Sequence, residues 1–394
     1  PSMATKAVIL IGGPSKGTRF RPLSLETPKP LFPICNKPLV YHHIKACKSL
    51  PSLKEVILLG FFEPHLFEEF ITNTQNELGI KITYIKEESR LGTAGGLYKF
   101  RDQIIEGLDS DASLFVFNCD VIVNFPLVEL EKFHKNHGHL SSILTKKVEQ
   151  KDVKKYGCLV ADEETNEVLH YAEKPETFVS NLVNCGIYLF RMEIFDKIVA
   201  IANEPQEQKL QIYPNLEPET DDIKIRLEQD VFRLLAGHKS LYSFEYTGYW
   251  SPVKHPVDSL IVSRMLLDNI ASENSEEHKK FVTGKVLIHP SASIGEGSQI
   301  GDFVTIAKNV KIGAGVRIKN SIILDGAEIR DRAYVVNSVV GWNSVIGQWC
   351  RIEGTDEKIT ILGDGVKTKP EIIVRNSVVL PHKELSGNHN EEIL

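Results

Sequence analysis

A mostly parallel α/β sheet domain followed by a left-handed parallel β-helix is the architecture this chain predicts. Three observations carry it. Between residue 5 and about 250, apolar runs alternate with helix-patterned segments, an alternation that builds a mostly parallel sheet covered on both faces. From residue 288 an aliphatic recurs at every sixth position, at Ile288, Ile294, Ile300, Ile306, Ile312, Ile318 and Leu324, with glycine following at 295, 301 and 313. Such hexads stack into a prism, each aliphatic pointing into the core and each small residue allowing the corner. The third observation is a glycine-rich, cationic loop directly after the first apolar run.

In order, residues 7–11, 55–59, 81–85 and 114–118 read as strands, and 38–49, 64–76, 94–106 and 126–136 as helices between them. Ligands of such sheets sit beyond the carboxyl ends of the strands. The loop Gly12-Gly13-Pro14-Ser15-Lys16-Gly17-Thr18-Arg19-Phe20-Arg21 lies at that end of the first strand, and Asp120 follows the fourth. Glycines let backbone N–H groups approach an anion, and Arg19, Arg21 and the nearby Lys29 supply positive charge. No Gly-Lys-Ser/Thr closes a Walker loop, and the dinucleotide spacing is absent. Residues 205–222 are acidic and contain proline, a surface excursion. Residues 257–271 read as an amphipathic helix and 272–280 as a polar linker. After a break the hexads resume at Val340, Ile346 and Ile352. The expected division is 1–256, an α/β domain; 257–284, helix and linker; and 285–394, the β-helix.

The chain has 394 residues, 42% apolar and 25% charged, with net charge −6. That is a globular composition with no basic surface for nucleic acid. No apolar stretch reaches membrane-spanning length, and the N-terminus lacks a signal-peptide pattern. The six cysteines contain no C-x-x-C pair and the histidines no H-E-x-x-H. Reduced, buried thiols in a cytoplasmic protein are expected, without a zinc centre.

Gly12-Gly13 with Gly17-Thr18-Arg19-Phe20-Arg21-Pro22-Leu23, Pro28-Lys29-Pro30-Leu31, Leu91-Gly92-Thr93-Ala94-Gly95, Asn118-Cys119-Asp120, Glu173-Lys174-Pro175 and Asn184-Cys185-Gly186-Ile187-Tyr188 occur in one order ahead of the hexads. Together they resemble the nucleotide-sugar pyrophosphorylases, most closely the mannose-1-phosphate guanylyltransferases. The resemblance implies a Rossmann-like nucleotidyltransferase domain and transfer of a nucleotidyl group from GTP to mannose 1-phosphate, giving GDP-mannose and pyrophosphate. It implies that Gly12, Gly13, Gly17, Thr18 and Arg19 cradle the phosphates, with Lys29 also touching them. Leu91, Gly92, Thr93, Ala94 and Asn118 would then shape the nucleotide pocket. Lys174 would meet the sugar phosphate, Glu173, Asn184 and Gly186 would line the sugar site, and Asp120 would hold Mg²⁺. The residues also have plainer readings: Asp120 as the cap of a turn, Glu173-Lys174-Pro175 as an exposed turn, Asn184 as a polar residue within a strand, Gly92 and Gly95 as helix-entry glycines.

Two departures qualify the resemblance. Pro14-Ser15-Lys16 makes the phosphate loop two residues longer than in catalytic relatives. Those relatives place a second Mg²⁺-binding Asp after an aromatic pair, where this chain has Tyr249-Trp250-Ser251-Pro252-Val253-Lys254. Proline at 252 offers no side-chain oxygen, so Mg²⁺ binding is expected to be weakened. A metal stabilises developing phosphoryl charge by several kcal/mol, and each ~1.4 kcal/mol lost is tenfold in rate. Both departures, with 225–232, resemble the alpha-type, regulatory branch. That branch implies a GDP-mannose-binding subunit with little catalysis, a catalytic beta-type partner, and homo- and hetero-oligomers. Here only Thr355-Asp356-Glu357-Lys358 intervenes where animal members carry a long insertion. Three other readings stand beside this one: an active guanylyltransferase recruiting Asp258 or Glu245 to the metal, a ligand-free scaffold like the gamma subunit of initiation factor 2B, and a hexad acyltransferase using His289.

Overall fold

The four predicted strands form as Thr5–Gly12, Leu53–Gly60, Ile82–Lys86 and Ser113–Asn118 in a computed structural model that describes residues 4–15, 17–89, 91–204, 224–270 and 273–394. Thr5–Gly12 is central, with Leu53–Gly60 and Ser113–Asn118 on its two sides and Ile82–Lys86 beyond Leu53–Gly60, all parallel. They are parallel because helices cross back between them: Leu39–Cys47, Glu68–Leu78, and the pair Gly92–Lys99 and Arg101–Ile105. The single helix expected over 94–106 is broken at Phe100, whose backbone leaves helical geometry. Val8, Ile57 and Val116 are buried in one apolar cluster, each contributing roughly 1.5–3 kcal/mol by leaving water.

Parallel pairing covers only this half of the sheet. Leu182–Arg191 runs antiparallel beside Ser113–Asn118, Ser141–Lys147 runs antiparallel beside Leu182–Arg191, and Leu241–Glu245 is parallel to Ser141–Lys147. The hairpin Gly157–Ala161 with Val168–Glu173 joins through Val183 and Cys158. Between Ser141–Lys147 and Leu182–Arg191 the chain makes that hairpin and no α-helical crossover, so it returns in the opposite direction.

Beneath this half, at the end of helix Leu127–His137, His134 Nδ1 and His137 Nε2 each lie 2.7 Å from Ser142 Oγ. His137 and His139 stack on Tyr242 at 4.4 and 4.6 Å between centroids. Burial, then the neighbouring His137, lowers His134 to about 3; burial and His139 lower His137 to about 4. These folded-state values lie below the ordinary ~6.5 of the unfolded chain, so the unfolded state binds more protons between them. The stability is complete above about pH 6.5 and is lost as pH falls toward 3. The loss from His134 is on the order of 3 kcal/mol, and the half-solvated His137 adds less. Urea midpoints measured from pH 7 to 4 are expected to fall more steeply for the native chain than for His134→Gln.

In the hexad domain Val286–Ile288 pairs with Val304–Ile306, that strand with Arg317–Ile323, and that with Tyr334–Val340, all parallel. Ile300, Ile306, Ile318 and Ile346 are essentially inaccessible in its core, whereas Ile294 is only partly buried. The break in the six-residue phase has a physical cause. Ser321 lies beside Ser338, a turn one residue shorter than that from Val286 to Val304. The Thr355–Lys358 insertion is a bulge closed by Thr355 N–H to Lys358 O at 2.9 Å.

The chain gathers into two compact units, one of residues up to Pro14 with Val40–Trp250, the other of Ser15–Leu39 with Ser251–Leu394. This differs from the linear division at 256, because 15–39 belongs with the hexads. Within that second unit Phe32 meets Trp342 edge-on at 5.9 Å, and Asn36 Nδ2 donates to Ile306 O at 2.9 Å. The predicted helix forms as Pro256–Asn269. The predicted linker is partly ordered: Ser275 caps the short helix Glu276–Lys279, and Asn274 bonds Val286 O and Ile288 N. The excursion over 205–222 lies outside the described residues. Among the described residues no helix is long and apolar enough to cross a membrane.

Candidate functional site

The residues named from the sequence divide between the two units. Gly12 and Gly13 stay with the first, where a positive φ at the one and close packing at the other exclude a side chain. Gly12 has φ 71°, and its carbonyl accepts Phe61 N–H at 2.8 Å. A Cβ on Gly13 would lie 2.5 Å from Phe61 Cβ. Thr18, Arg19 and Lys29 belong to the second unit. There Gly17, left-handed at φ 75°, starts the single 3₁₀ turn Thr18–Phe20, leaving Thr18 and Arg19 exposed. Phe20 is buried against Phe32, centroids 4.9 Å apart, and Lys29 Nζ lies 5.7 Å from the Phe20 ring centre. The turn is thus anchored by an aromatic while the Arg19 guanidinium is exposed to solvent.

In the first unit the loop after Ile82–Lys86 enters the helix Gly92–Lys99. Gly92 has φ 79°. Ala94 and Gly95 N–H both donate to Ile225 O, at 2.9 and 3.1 Å, and Ile225 N–H donates to Leu91 O at 2.8 Å. Thr93 Oγ1 accepts Leu227 N–H at 2.7 Å and donates to Glu228 Oε2 at 2.9 Å. The segment after residue 224 therefore seals Leu91–Gly95 and delivers the Glu228 carboxylate beside Asn118, whose Nδ2 lies 3.5 Å from Glu228 Oε1.

On the strand Leu182–Arg191 the register skips between Asn184 and Tyr188. Gly186 occupies the skip at φ 82°, with its N–H bonded to Asn184 Oδ1 at 2.7 Å. The bulge turns Asn184 toward two tyrosines, so that Nδ2 donates to Tyr171 Oη at 3.1 Å and Tyr188 Oη at 2.8 Å. Both amide hydrogens are used, and only an Oδ1 lone pair remains for a ligand. Tyr171 donates to Glu173 Oε2 at 3.2 Å. Lys174 follows with φ 44° and an exposed ammonium 3.9 Å from Glu173 Oε1.

Tyr171 and Gly157 fell outside the quoted motifs, and Tyr188 and Glu228, though inside quoted segments, were given no role. Burial first, then Glu173, raises the Tyr171 phenol; burial first, then Glu228, raises that of Tyr188. Both remain donors at any physiological pH. A Cβ on Gly157 would sit 2.2 Å from Tyr171 Oη. The hydroxyl of Tyr188 in the Asn184–Tyr188 motif was the one available signal. Glu228 stood in the quoted segment 225–232, but its partners Thr93 and Tyr188 are distant in sequence.

Asp120 ends the Ser113–Asn118 strand in a turn, half-buried. The two carboxylates that a metal site could recruit in place of a second Asp are already engaged. Asp258 Oδ2 accepts Lys254 and His255 N–H at 2.8 and 2.7 Å, closing the cap of helix Pro256–Asn269. Glu245 pairs with Lys147 at 3.4 Å. Among the described residues the three ligating groups close enough for one metal ion are Glu26, Asp364 and His382, in the second unit. Asp120 is not one of them.

The parallel strands of the first unit and their glycine turns are those of a nucleotidyltransferase-type domain. The sequence model of the family described as Nucleotidyl transferase matches residues 6–252, and that of the GMPPB C-terminal domain matches 282–394. More narrowly, the chain belongs to the family of mannose-1-phosphate guanylyltransferase regulatory subunits alpha. It is 46% identical to the protein so named in Dictyostelium discoideum, the match covering 99% of this chain and 98% of that one. Identity is 44% to the Xenopus tropicalis protein and 40% to the Homo sapiens protein, each covering 99% of both chains. A Bacillus anthracis structure described as a putative glucose-1-phosphate thymidylyltransferase in complex with sucrose is similar in fold. Its TM-score is 0.54 at 20% identity, covering 69% of this chain and 98% of that one.

Proposed function

We propose that this chain is the GDP-mannose-binding, regulatory subunit of a mannose-1-phosphate guanylyltransferase, with little turnover of its own. The observation that carries the reading is an asymmetry within the site. The polar cluster around Glu173, Asn184 and Glu228 is hydrogen-bonded throughout, while the carboxylates that would have to replace the missing second Asp are engaged elsewhere. Asp258 holds a helix cap and Glu245 an ion pair. An active guanylyltransferase that recruits either of them is disfavoured on that ground.

Binding needs anion contacts, sugar contacts and a closed base pocket, and each has residues here. In the first unit Lys174 supplies charge, Gly12 and Gly13 supply close backbone approach, and Leu91–Gly95 is sealed by Ile225; the cations of the glycine loop, Arg19 and Lys29, belong to the second. Turnover needs in addition the charge stabilisation that a two-carboxylate metal site gives. A catalytic homologue is the expected partner, in a hetero-oligomer, and the compartment is cytoplasmic. All six cysteines are buried free thiols, which suits a reducing environment.

Calorimetric titration of GDP-mannose into the purified chain is expected to show binding in the micromolar range, about −8 kcal/mol. A pyrophosphate-release assay on the same sample with GTP, mannose 1-phosphate and Mg²⁺ is expected to stay at blank. No binding at millimolar ligand would end the proposal, and robust turnover by the isolated chain would replace it with the catalytic reading.

A further inference from the structure

The polar residues of the first unit form one unbroken path. From Asn184 Nδ2 one hydrogen goes to Tyr171 Oη (3.1 Å), and Tyr171 donates to Glu173 Oε2 (3.2 Å). The other goes to Tyr188 Oη (2.8 Å), and Tyr188 donates to Glu228 Oε1 (3.2 Å). Glu228 Oε2 then accepts from Thr93 (2.9 Å), which accepts Leu227 N–H (2.7 Å). The path begins at a residue assigned to the sugar and ends at one assigned to the base.

Its donor directions have one solution. Carboxylates only accept, and an amide NH₂ only donates. Hence each tyrosine hydroxyl accepts from Asn184 and donates outward. Such chains polarise one another, so shifting one member alters the next. Tyr188 stands at the junction and is wholly buried, its ring edge-on to Phe232 at 4.8 Å and tilted on Phe190 at 6.0 Å. A side chain with no accessible surface touches no ligand. It acts through Asn184 on one side and Glu228 on the other.

We infer that Tyr188 is a positioning residue that couples the two halves of the ligand site, so that occupancy of the sugar pocket tightens the base pocket and the reverse. This rests on the nucleotide-sugar reading above and adds to it that the halves are energetically linked. A sugar hydroxyl that engages Glu173 fixes Tyr171 and Asn184. Tyr188 then holds Glu228, and Glu228 holds Thr93 against the sealed turn at Leu91–Gly95.

The test uses the whole chain and two fragments of the ligand, guanosine and mannose 1-phosphate. Each is titrated alone and with the other saturating, beside a titration of GDP-mannose. In the native chain each fragment is expected to raise the affinity of the other by about tenfold, by the same factor in both directions. Tyr188→Phe keeps the ring and removes the junction, and the factor is expected to fall below about twofold. Glu228→Gln cannot accept from both Tyr188 and Thr93, and is expected to lose the coupling likewise; it decides the matter where Tyr188→Phe does not fold. Native protein that binds GDP-mannose but shows no mutual effect of the fragments overturns the coupling alone. So does a folded variant of either kind that keeps the native factor. Native protein that binds neither GDP-mannose nor the fragments removes the binding reading as well.

Discussion

Gly92→Ala is expected to destabilise the first unit by about 3–4 kcal/mol and to abolish measurable GDP-mannose binding. The backbone contributes first: φ at Gly92 is 79°, and a left-handed conformation costs a residue with a Cβ about 1–2 kcal/mol. The packing contributes more. The new Cβ would lie 2.3 Å from Ile225 O and 2.8 Å from Ile225 C, so backbone must move. That carbonyl accepts from both Ala94 and Gly95, and Ile225 N–H holds Leu91 O. Each bond contributes roughly 1 kcal/mol and leaves a buried group unsatisfied when broken. Displacing Ile225 also draws Leu227 and Glu228 away from Thr93, so fold and ligand pocket fail together. Guanidinium denaturation and GDP-mannose titration of the variant measure the two parts. Unchanged stability with retained binding would show that the turn at Leu91–Gly95 is not closed by Ile225.

The second large effect lies on strands Thr5–Gly12 and Leu53–Gly60. Lys6 Nζ sits 3.0 Å from Glu55 Oε2 and donates to Glu106 O at 2.7 Å, with both side chains under a tenth exposed. Burial alone would raise the Glu55 carboxyl. Hydrogen bonds from Thr83 and Lys6, with the Lys6 charge, outweigh it and hold the carboxyl below its usual value. Removing one partner of a buried pair leaves the other charge uncompensated, so Lys6→Met is expected to cost about 3 kcal/mol. Lys81, at 3.3 Å but mostly exposed, offsets only part of this.

The sign with pH follows from the same linkage. A depressed carboxylate contributes stability that is present above its unfolded value, near 4.5, and lost as pH falls through the folded one. Without Lys6 the Glu55 carboxyl rises and takes a proton more readily. The deficit of Lys6→Met is therefore largest at neutral pH and shrinks below about pH 4.5. The double variant Lys6→Met with Glu55→Leu is expected to recover most of the loss, because a paired charge replaced by apolar groups is close to neutral. Urea midpoints of the three proteins at pH 7 and pH 4 decide it. A single variant as stable as the parent at pH 7 would mean that Lys81 alone satisfies Glu55.

The special backbone positions of the candidate site were legible because its glycines cluster in short motifs. Gly12, Gly13 and Gly92 each stand where close packing or a positive φ excludes other residues. Asn184 stood out in its motif, but its hydrogen-bond partners did not. The motif shows its amide, whereas the two tyrosines that occupy that amide are a strand bulge and a hairpin away. Asp258, one of the carboxylates a rival reading had enlisted for the metal, is bound into a helix cap that no spacing rule marked.

The local pattern by itself determined the strands, most helix positions and the hexad core, since apolar periodicity and turn chemistry act over a few residues at a time. Tertiary structure alone decided that Leu182–Arg191 runs antiparallel, that Ser15–Leu39 packs with the hexads, and that Glu228 meets Thr93 and Tyr188. Those outcomes depend on contacts between segments many residues apart. Their strength is set by shape and by satisfaction of buried polar groups, which no short window of sequence contains.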